Sequence, residues 1–249
     1  MPDRWSIILS IARSDHGAPP MVEIGGRHCT IAIRTHPRSR HMRLRTDPAR
    51  DLILVTMPVY ARHSEALAFV RKQADWIADS FARAGQPITL EPDSEVMIHG
   101  LPHRIVWNEG ASRRVVRSDG LLRLGGPREM VAARLLRWIK AEARRSFAED
   151  AAHYCARAGE APVRLALSSA SRRWGSCSRD RSLRLNWRLV MAPPWVRQSV
   201  VAHEIAHLRH MDHSAAFYAW LDRIYDGNRK AADRWLKDHG RTLHMIVGG

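Results

Sequence analysis

The spacing of apolar residues divides the chain into two kinds of segment. From Met21 to about Met57 hydrophobic and polar positions alternate in short bursts. Residues 29–34 and 52–56 read as strands, and residues 41–45 alternate basic with apolar like a half-buried strand. Pro58 ends this run. Residues 64–84 then carry a helical stripe of Leu67, Val70, Ala74, Ile77 and Phe81, stopped by Gly85. Residues 96–124 return to short strands, separated by turns at His99-Gly100, Asn108-Glu109-Gly110 and Asp119-Gly120.

Pro127 opens a long helix over residues 128–157. Met130, Leu135, Trp138, Ile139 and Phe147 form its apolar face, and Gly159 ends it. Residues 163–167 and 183–187 read as strands, and residues 172–178 as a turn or hairpin rim. Pro193-Pro194 opens a helix over residues 195–210. Two further helices are expected over residues 214–225 and 229–239, the last stopped by Gly240. The fold class is therefore α+β. Residues 1–20, which lack periodicity, read as a flexible extension. Residues 21–126 form a β-rich part with one helix, and residues 127–249 a second part with the longest helices.

Composition narrows the function classes. A chain of 249 residues, 45% hydrophobic, can bury a sizeable core. No apolar run approaches the ~20 residues of a membrane-spanning helix. The apolar stretch at residues 7–12 is short and runs into Arg13, so no signal peptide is expected. Cys29, Cys155 and Cys177 are odd in number and widely spaced, which fits a reducing cytoplasm better than a disulfide framework. The net charge is +15, with Arg clusters over residues 34–45 and 172–188. Such a charge suits an anionic partner such as nucleic acid, nucleotide or acidic peptide, but a compositional bias carried on a solvated surface is the favoured reading.

The candidate chemistry lies in His203-Glu204-Ile205-Ala206-His207. Four residues on a helix make one turn plus about 40°, so both imidazoles leave one face and can meet a zinc ion at ~2.0–2.1 Å. Glu204, rotated about 100° from His203, stands beside the metal, where it can take a proton from a zinc-bound water. The competing reading is an amphipathic helix with two surface histidines. Catalytic zinc usually takes three protein ligands plus water, and His210, Asp212 and His213 follow closely. The Cα of His210 lies ~10.5 Å along the helix axis from that of His203. His213, beyond the helix end, can curl back over the metal and is favoured. Asp212 and His210 remain the alternatives.

Three further stretches extend the pattern: Arg173-Trp174-Gly175-Ser176-Cys177-Ser178, then Leu185-Asn186-Trp187-Arg188-Leu189, then Val201 through Ser214. Together with the motif they resemble the YgjP-like family of zinc metallopeptidases, relatives of the SprT-like and WLM peptidases. The strong part of the resemblance covers residues 171–221, and weaker parts reach back to Arg34. It implies His203, His207 and His213 as ligands of one zinc ion and Glu204 as general base. It also implies a β-rich N-terminal part packed on a zincin-like catalytic part. Ser168-Ser169-Ala170-Ser171-Arg172 departs from the acidic and amide-bearing stretch usual in the family, and Phe217-Tyr218 from the usual Phe-Trp.

The neighbouring residues are weighed in the same way. Trp174 and Trp187 read as packing residues, Gly175 as a backbone requirement, and Cys177 as a small buried side chain. Arg172, Arg173 and Arg188 are candidates for contact with an anionic substrate or an oxyanion. Tyr218 and Tyr225 are alternative oxyanion donors. The leading expectation is a peptidase acting on polypeptides. The alternatives are a metal-dependent phosphohydrolase acting on nucleotides and a nucleic-acid-associated protein with a structural zinc.

Overall fold

The computed structural model describes residues 19–246 except Gly25 and Gln86. Residues 1–18, most of the expected N-terminal extension, lie outside the described residues. Contacts divide the chain into two units, Met1–Pro87 and Ile88–Gly249.

In the first unit the strands are β1 (Met21–Ile24), β2 (Arg27–Thr35), β3 (Arg43–Asp47) and β4 (Leu52–Met57), followed by helices α1 (His63–Lys72) and α2 (Ala74–Ala84). The sheet order is β1-β2-β4-β3. Its alternation sends Val22, Ile24, Cys29, Ile31, Ile53, Val55 and Met57 to one face, where Ala66, Val70, Ile77 and Phe81 of the two helices cover them. The single helix expected over 64–84 breaks at Gln73, whose φ of −101° and ψ of 14° leave helical geometry. The break lets both halves of the apolar stripe reach the same sheet face.

The second unit begins with β5 (Glu95–Ile98), β6 (Leu101–Trp107), β7 (Val116–Ser118) and β8 (Leu121–Leu124), a sheet of order β5-β6-β8-β7. Then come α3 (Val131–Ala158), β9 (Arg164–Ser168), β10 (Gly175–Cys177) and β11 (Ser182–Asn186), and last α4 (Pro194–Ala206), α5 (Ala215–Ile224) and α6 (Arg229–Leu243). β10-β11-β9 is a second sheet, with β10 antiparallel and β9 parallel to β11. The division at Pro87 falls earlier than the boundary at residue 126 read from the sequence. Val96, Ile98, Ile105, Leu122 and Leu124 bury in one cluster with Val131, Leu135, Ile139 and Phe147, so β5–β8 share a core with α3. Met130, expected on the apolar face of that helix, is exposed in a 3-10 turn that precedes it.

Two turns anticipated from sequence seat the later elements. His99-Gly100 and Asp119-Gly120 all have positive φ and close two-residue hairpins, Ile98 opposite Leu101 and Ser118 opposite Leu121. The first also grips the chain ahead of α4. The His99 and Gly100 N–H groups donate to the carbonyls of Val190 and Met191, at 2.7 and 3.0 Å. A Cβ on Gly100 would meet Pro193 Cα at 2.9 Å, so the close approach itself requires glycine.

Beneath this turn a polar chain joins α3 to α4. Arg197 bonds both oxygens of Asp150, at 2.6 and 3.2 Å, and both residues are 6% exposed. Arg197 also donates to His99 Nδ1 (2.9 Å), and His99 Nε2–H donates to Glu142 (2.8 Å). This arrangement holds the first turn of α4 against the core.

Candidate metal centre

α4 turns its apolar side, Val196, Val201, Ala202, Ile205 and Ala206, into the core. That orientation leaves His203 half-buried at a cleft and Glu204 only 7% exposed. The helix stops at Ala206, sooner than the expected His210. Leu208, Arg209 and His210 close a tight turn onto the carbonyls of Ile205 and Ala206. His207 Nδ1–H donates to the His210 carbonyl at 2.9 Å, which fixes the ring and leaves Nε2 with its lone pair free. The early stop redirects the chain, and His213 returns over the helix end.

His213 Nε2 lies 3.1 Å from His203 Nε2. The ligand atoms of His203, His207 and His213 all fall within 4.8 Å of one another, and no fourth donor joins them among the described residues. Phe217 of α5 backs all three rings at centroid distances of 5.0, 4.6 and 4.9 Å. Its helix is set by Ser214, the N-cap, whose hydroxyl accepts from Phe217 N–H. Burial, reinforced by the neighbouring imidazoles, pushes His203 down to about 4, and burial also lowers His207. Neutral imidazoles are the form that binds a metal. Three converging ring nitrogens without a fourth donor among the described residues fit a catalytic metal site rather than a closed structural one.

The other third-ligand candidates face elsewhere. Asp212 accepts from both the backbone N–H and the hydroxyl of Ser214. His210 contributes its carbonyl to His207. Cys177 lies outside the donor group, its thiol pushed up to about 11 by burial and then by Glu204.

Glu204 faces β10. A Cβ on Gly175 would sit 2.5 Å from Glu204 Oε1, so glycine is required there by space. The Cys177 N–H bonds the carboxylate, yet burial dominates and pushes the carboxyl up to about 7. β10 pairs through Trp174, whose carbonyl accepts from Asn186, and Ser178, which donates to Ser182. By antiparallel alternation, the N–H and C=O groups of Gly175 and Cys177 therefore point to the open edge, toward the cleft.

The cleft, of about 290 Å³, is lined by Arg173, Trp174 and Gly175, by Ser199, Val200, His203 and Glu204, and by Tyr218, Leu221, Arg229, Asp233 and Leu236. Of the arginines weighed from sequence only Arg173 lines it. Arg188 stacks on Trp187 at 4.3 Å, and Arg172 is exposed outside the cleft. Tyr218 lines the cleft, whereas the Tyr225 hydroxyl is buried and donates to the Trp195 carbonyl. Trp174 stacks on His244, with ring centroids 4.7 Å apart.

The contribution of α6 escaped sequence reading. Gly240, taken as a stop, lies inside that helix, where a Cβ would meet Trp174 Cζ2 at 2.8 Å. The signal was the amphipathic spacing that continues past Gly240 to Leu243.

Among the described residues no helix is long and apolar enough to cross a membrane. A search of curated proteins finds no match. Among solved structures, the crystal structure of the metallopeptidase zymogen of Pyrococcus abyssi abylysin is similar at 19% identity and a TM-score of 0.35, covering 41% of this chain and 99% of that one. The family model for the YgjP-like metallopeptidase domain matches residues 40–239. This match spans most of the chain and takes in the whole histidine cluster, Glu204 and β10, so the chain belongs to the YgjP-like family and is a metallopeptidase, a hydrolase.

Proposed function

We propose that this chain is a zinc-dependent peptidase in which His203, His207 and His213 hold one zinc ion and Glu204 is the general base. The observation that carries the reading is three ring nitrogens within 4.8 Å, without a fourth donor among the described residues, beside a buried carboxyl group. When bound, zinc supplies Lewis acidity, which polarises a carbonyl oxygen and acidifies water.

The remaining work falls to the chain's own residues. Glu204 takes a proton from the attacking water at a carboxylate oxygen and delivers it to the leaving amine. A carboxyl pushed up to about 7 suits both directions of that transfer near neutral pH. The open edge of β10 can pair with an extended peptide through the backbone of Gly175 and the carbonyl of Cys177. A metal helix lying beneath such an edge strand is the arrangement we read as zincin-like. Tyr218, in the cleft beside His213, is our candidate for stabilising the oxyanion.

The alternatives have less support. A structural zinc needs a fourth protein ligand, and the described donor group has three. A triphosphate calls for a cationic cleft, yet Arg229 is bonded to Asp222 at 2.7 Å and Asp233 shares the lining.

The test is Glu204→Gln. Metal analysis should find zinc retained, while cleavage of a fluorogenic peptide library disappears. Wild-type turnover in that variant would overturn the mechanism. Phosphate release from nucleoside triphosphates without peptide cleavage would overturn the substrate class.

A further inference from the structure

A second cavity of the same unit, about 630 Å³, lies between α3, the end of β9 and the turn after β11. Lys140, Arg144 and Arg145 of α3 rim it, and Leu167, Ser169 and Trp187 face them. No carboxylate lines it. Arg145 is engaged by Glu142 and Glu149. Lys140 and Arg144 have no carboxylate within 4.0 Å among the described residues, so two cations lack counter-charge at the mouth of a partly apolar hollow. Trp187 is fully committed as well. Its indole N–H donates to Ser169 at 3.1 Å, and its ring carries Arg188 at 4.3 Å and Lys140 at 5.7 Å.

We propose that this cavity is an exosite for an acidic segment of the polypeptide substrate, its carboxylates meeting Lys140 and Arg144 and an aliphatic side chain resting on Leu167 and Ala148. The proposal rests on the peptidase reading above. Three observations carry it. The first is charge complementarity, since unpaired cations over apolar surface bind carboxylates that bring an apolar neighbour. The second is the state of Trp187. Because cations already occupy its ring, it offers no free platform for stacked bases, which argues for peptide over nucleic acid. The third is continuity with the candidate site. Ser169 lines this cavity and Arg173 lines the cleft at Glu204. Four residues of chain span at most ~14 Å. A substrate can therefore occupy both places when its acidic segment lies on the order of five residues from the bond cleaved.

Binding is measured by fluorescence anisotropy, with Glu204→Gln protein so that nothing is cut. The probes are a labelled peptide of alternating Leu and Glu, blocked at both ends, and its Gln-for-Glu counterpart. The acidic peptide should bind at least tenfold tighter, and the advantage should vanish when Lys140→Glu and Arg144→Glu are introduced together or when salt is raised to screen the pair. Both substitutions are on the helix surface, and an unchanged circular dichroism spectrum would show the fold intact. In the active protein the same pair should raise KM for the acidic peptide about tenfold with kcat unchanged, and leave the Gln peptide unaffected. Equal binding of the two peptides, undiminished binding to the variant, or tighter binding of a single-stranded oligonucleotide at the same residues would overturn the exosite. If the wild type cleaves neither of these peptides nor any member of the fluorogenic library, the peptidase reading fails, while the anisotropy result still judges the cavity.

Discussion

Gly175 and Glu204 are in contact: the space where a side chain at 175 would begin is taken by the carboxylate of Glu204, 2.5 Å from the ideal Cβ position. The glycine does not relieve a strained turn, for it sits in a strand. It makes room for the one buried carboxyl beside the histidine cluster.

Gly175→Ala should therefore act on Glu204. The added methyl group meets Oε1, Cγ and Cδ within 2.8 Å, and a carboxyl that is 7% exposed has little room to retreat. We expect kcat/KM to fall about 100-fold, the order that a 1 Å misplacement produces. Zinc content should stay stoichiometric, because no ligand moves. Overpacking should lower stability by about 1–3 kcal/mol in urea unfolding. Unchanged turnover would show that the carboxyl can relocate freely.

His213, Asp212 and His210 separate cleanly by metal affinity. His213→Ala removes a ring nitrogen that lies 3.1 Å from that of His203. Its zinc affinity, measured by competition with a chelator, should drop by more than the 10–100-fold that loss of a supporting hydrogen bond causes. His210→Ala should leave affinity nearly unchanged, since that residue acts through its carbonyl. Asp212→Ala should also keep zinc, with only the Ser214 capping region loosened.

Arg197 and Asp150 pin the metal helix from below. Removing one partner strands a charge at a position 6% exposed, so Asp150→Ala or Arg197→Ala should destabilise the protein by about 3–5 kcal/mol. Arg197→Met together with Asp150→Leu should recover most of that loss. If the double variant is no better than the singles, the charges have a role beyond filling the interface.

His99 gives a pH signature away from the metal centre. Burial lowers its pKa below the ordinary 6.5, and Glu142 only partly opposes this. The unfolded chain then binds more protons than the fold as acid is added. The stabilisation is fully present above pH 6.5 and is lost as pH falls through the depressed folded value. Protonation at Nδ1 would also break the bond from Arg197. Wild-type stability in urea should decline below pH 6.5 more steeply than that of His99→Gln. Parallel curves would place the proton dependence elsewhere.

Much of the site was legible in the chain because its logic is local. The spacing of His203 and His207 puts both on one helix face whatever surrounds the helix, and Ser214 caps the next helix by its own hydroxyl. The hairpin turns at His99-Gly100 and Asp119-Gly120 follow from residues that tolerate positive φ. The β2, β4 and β11 strands likewise follow from alternation. Helix ends were read less well. Neither the break at Gln73 nor the stop at Ala206 has a marker residue; both come from side chains reaching a shared core or a carbonyl.

By itself, then, the sequence determined most of the elements, most of their inward faces, and a histidine pair with a carboxylate beside it. Those properties depend on residues within a turn or two of each other. Only the tertiary structure decided that β5–β8 share the core of α3, that α6 runs through Gly240 to pack on Trp174, and that Glu204 is buried against Gly175. Such facts depend on space between residues far apart in the chain. A glycine whose neighbour is 29 positions away looks, in sequence, like any other glycine.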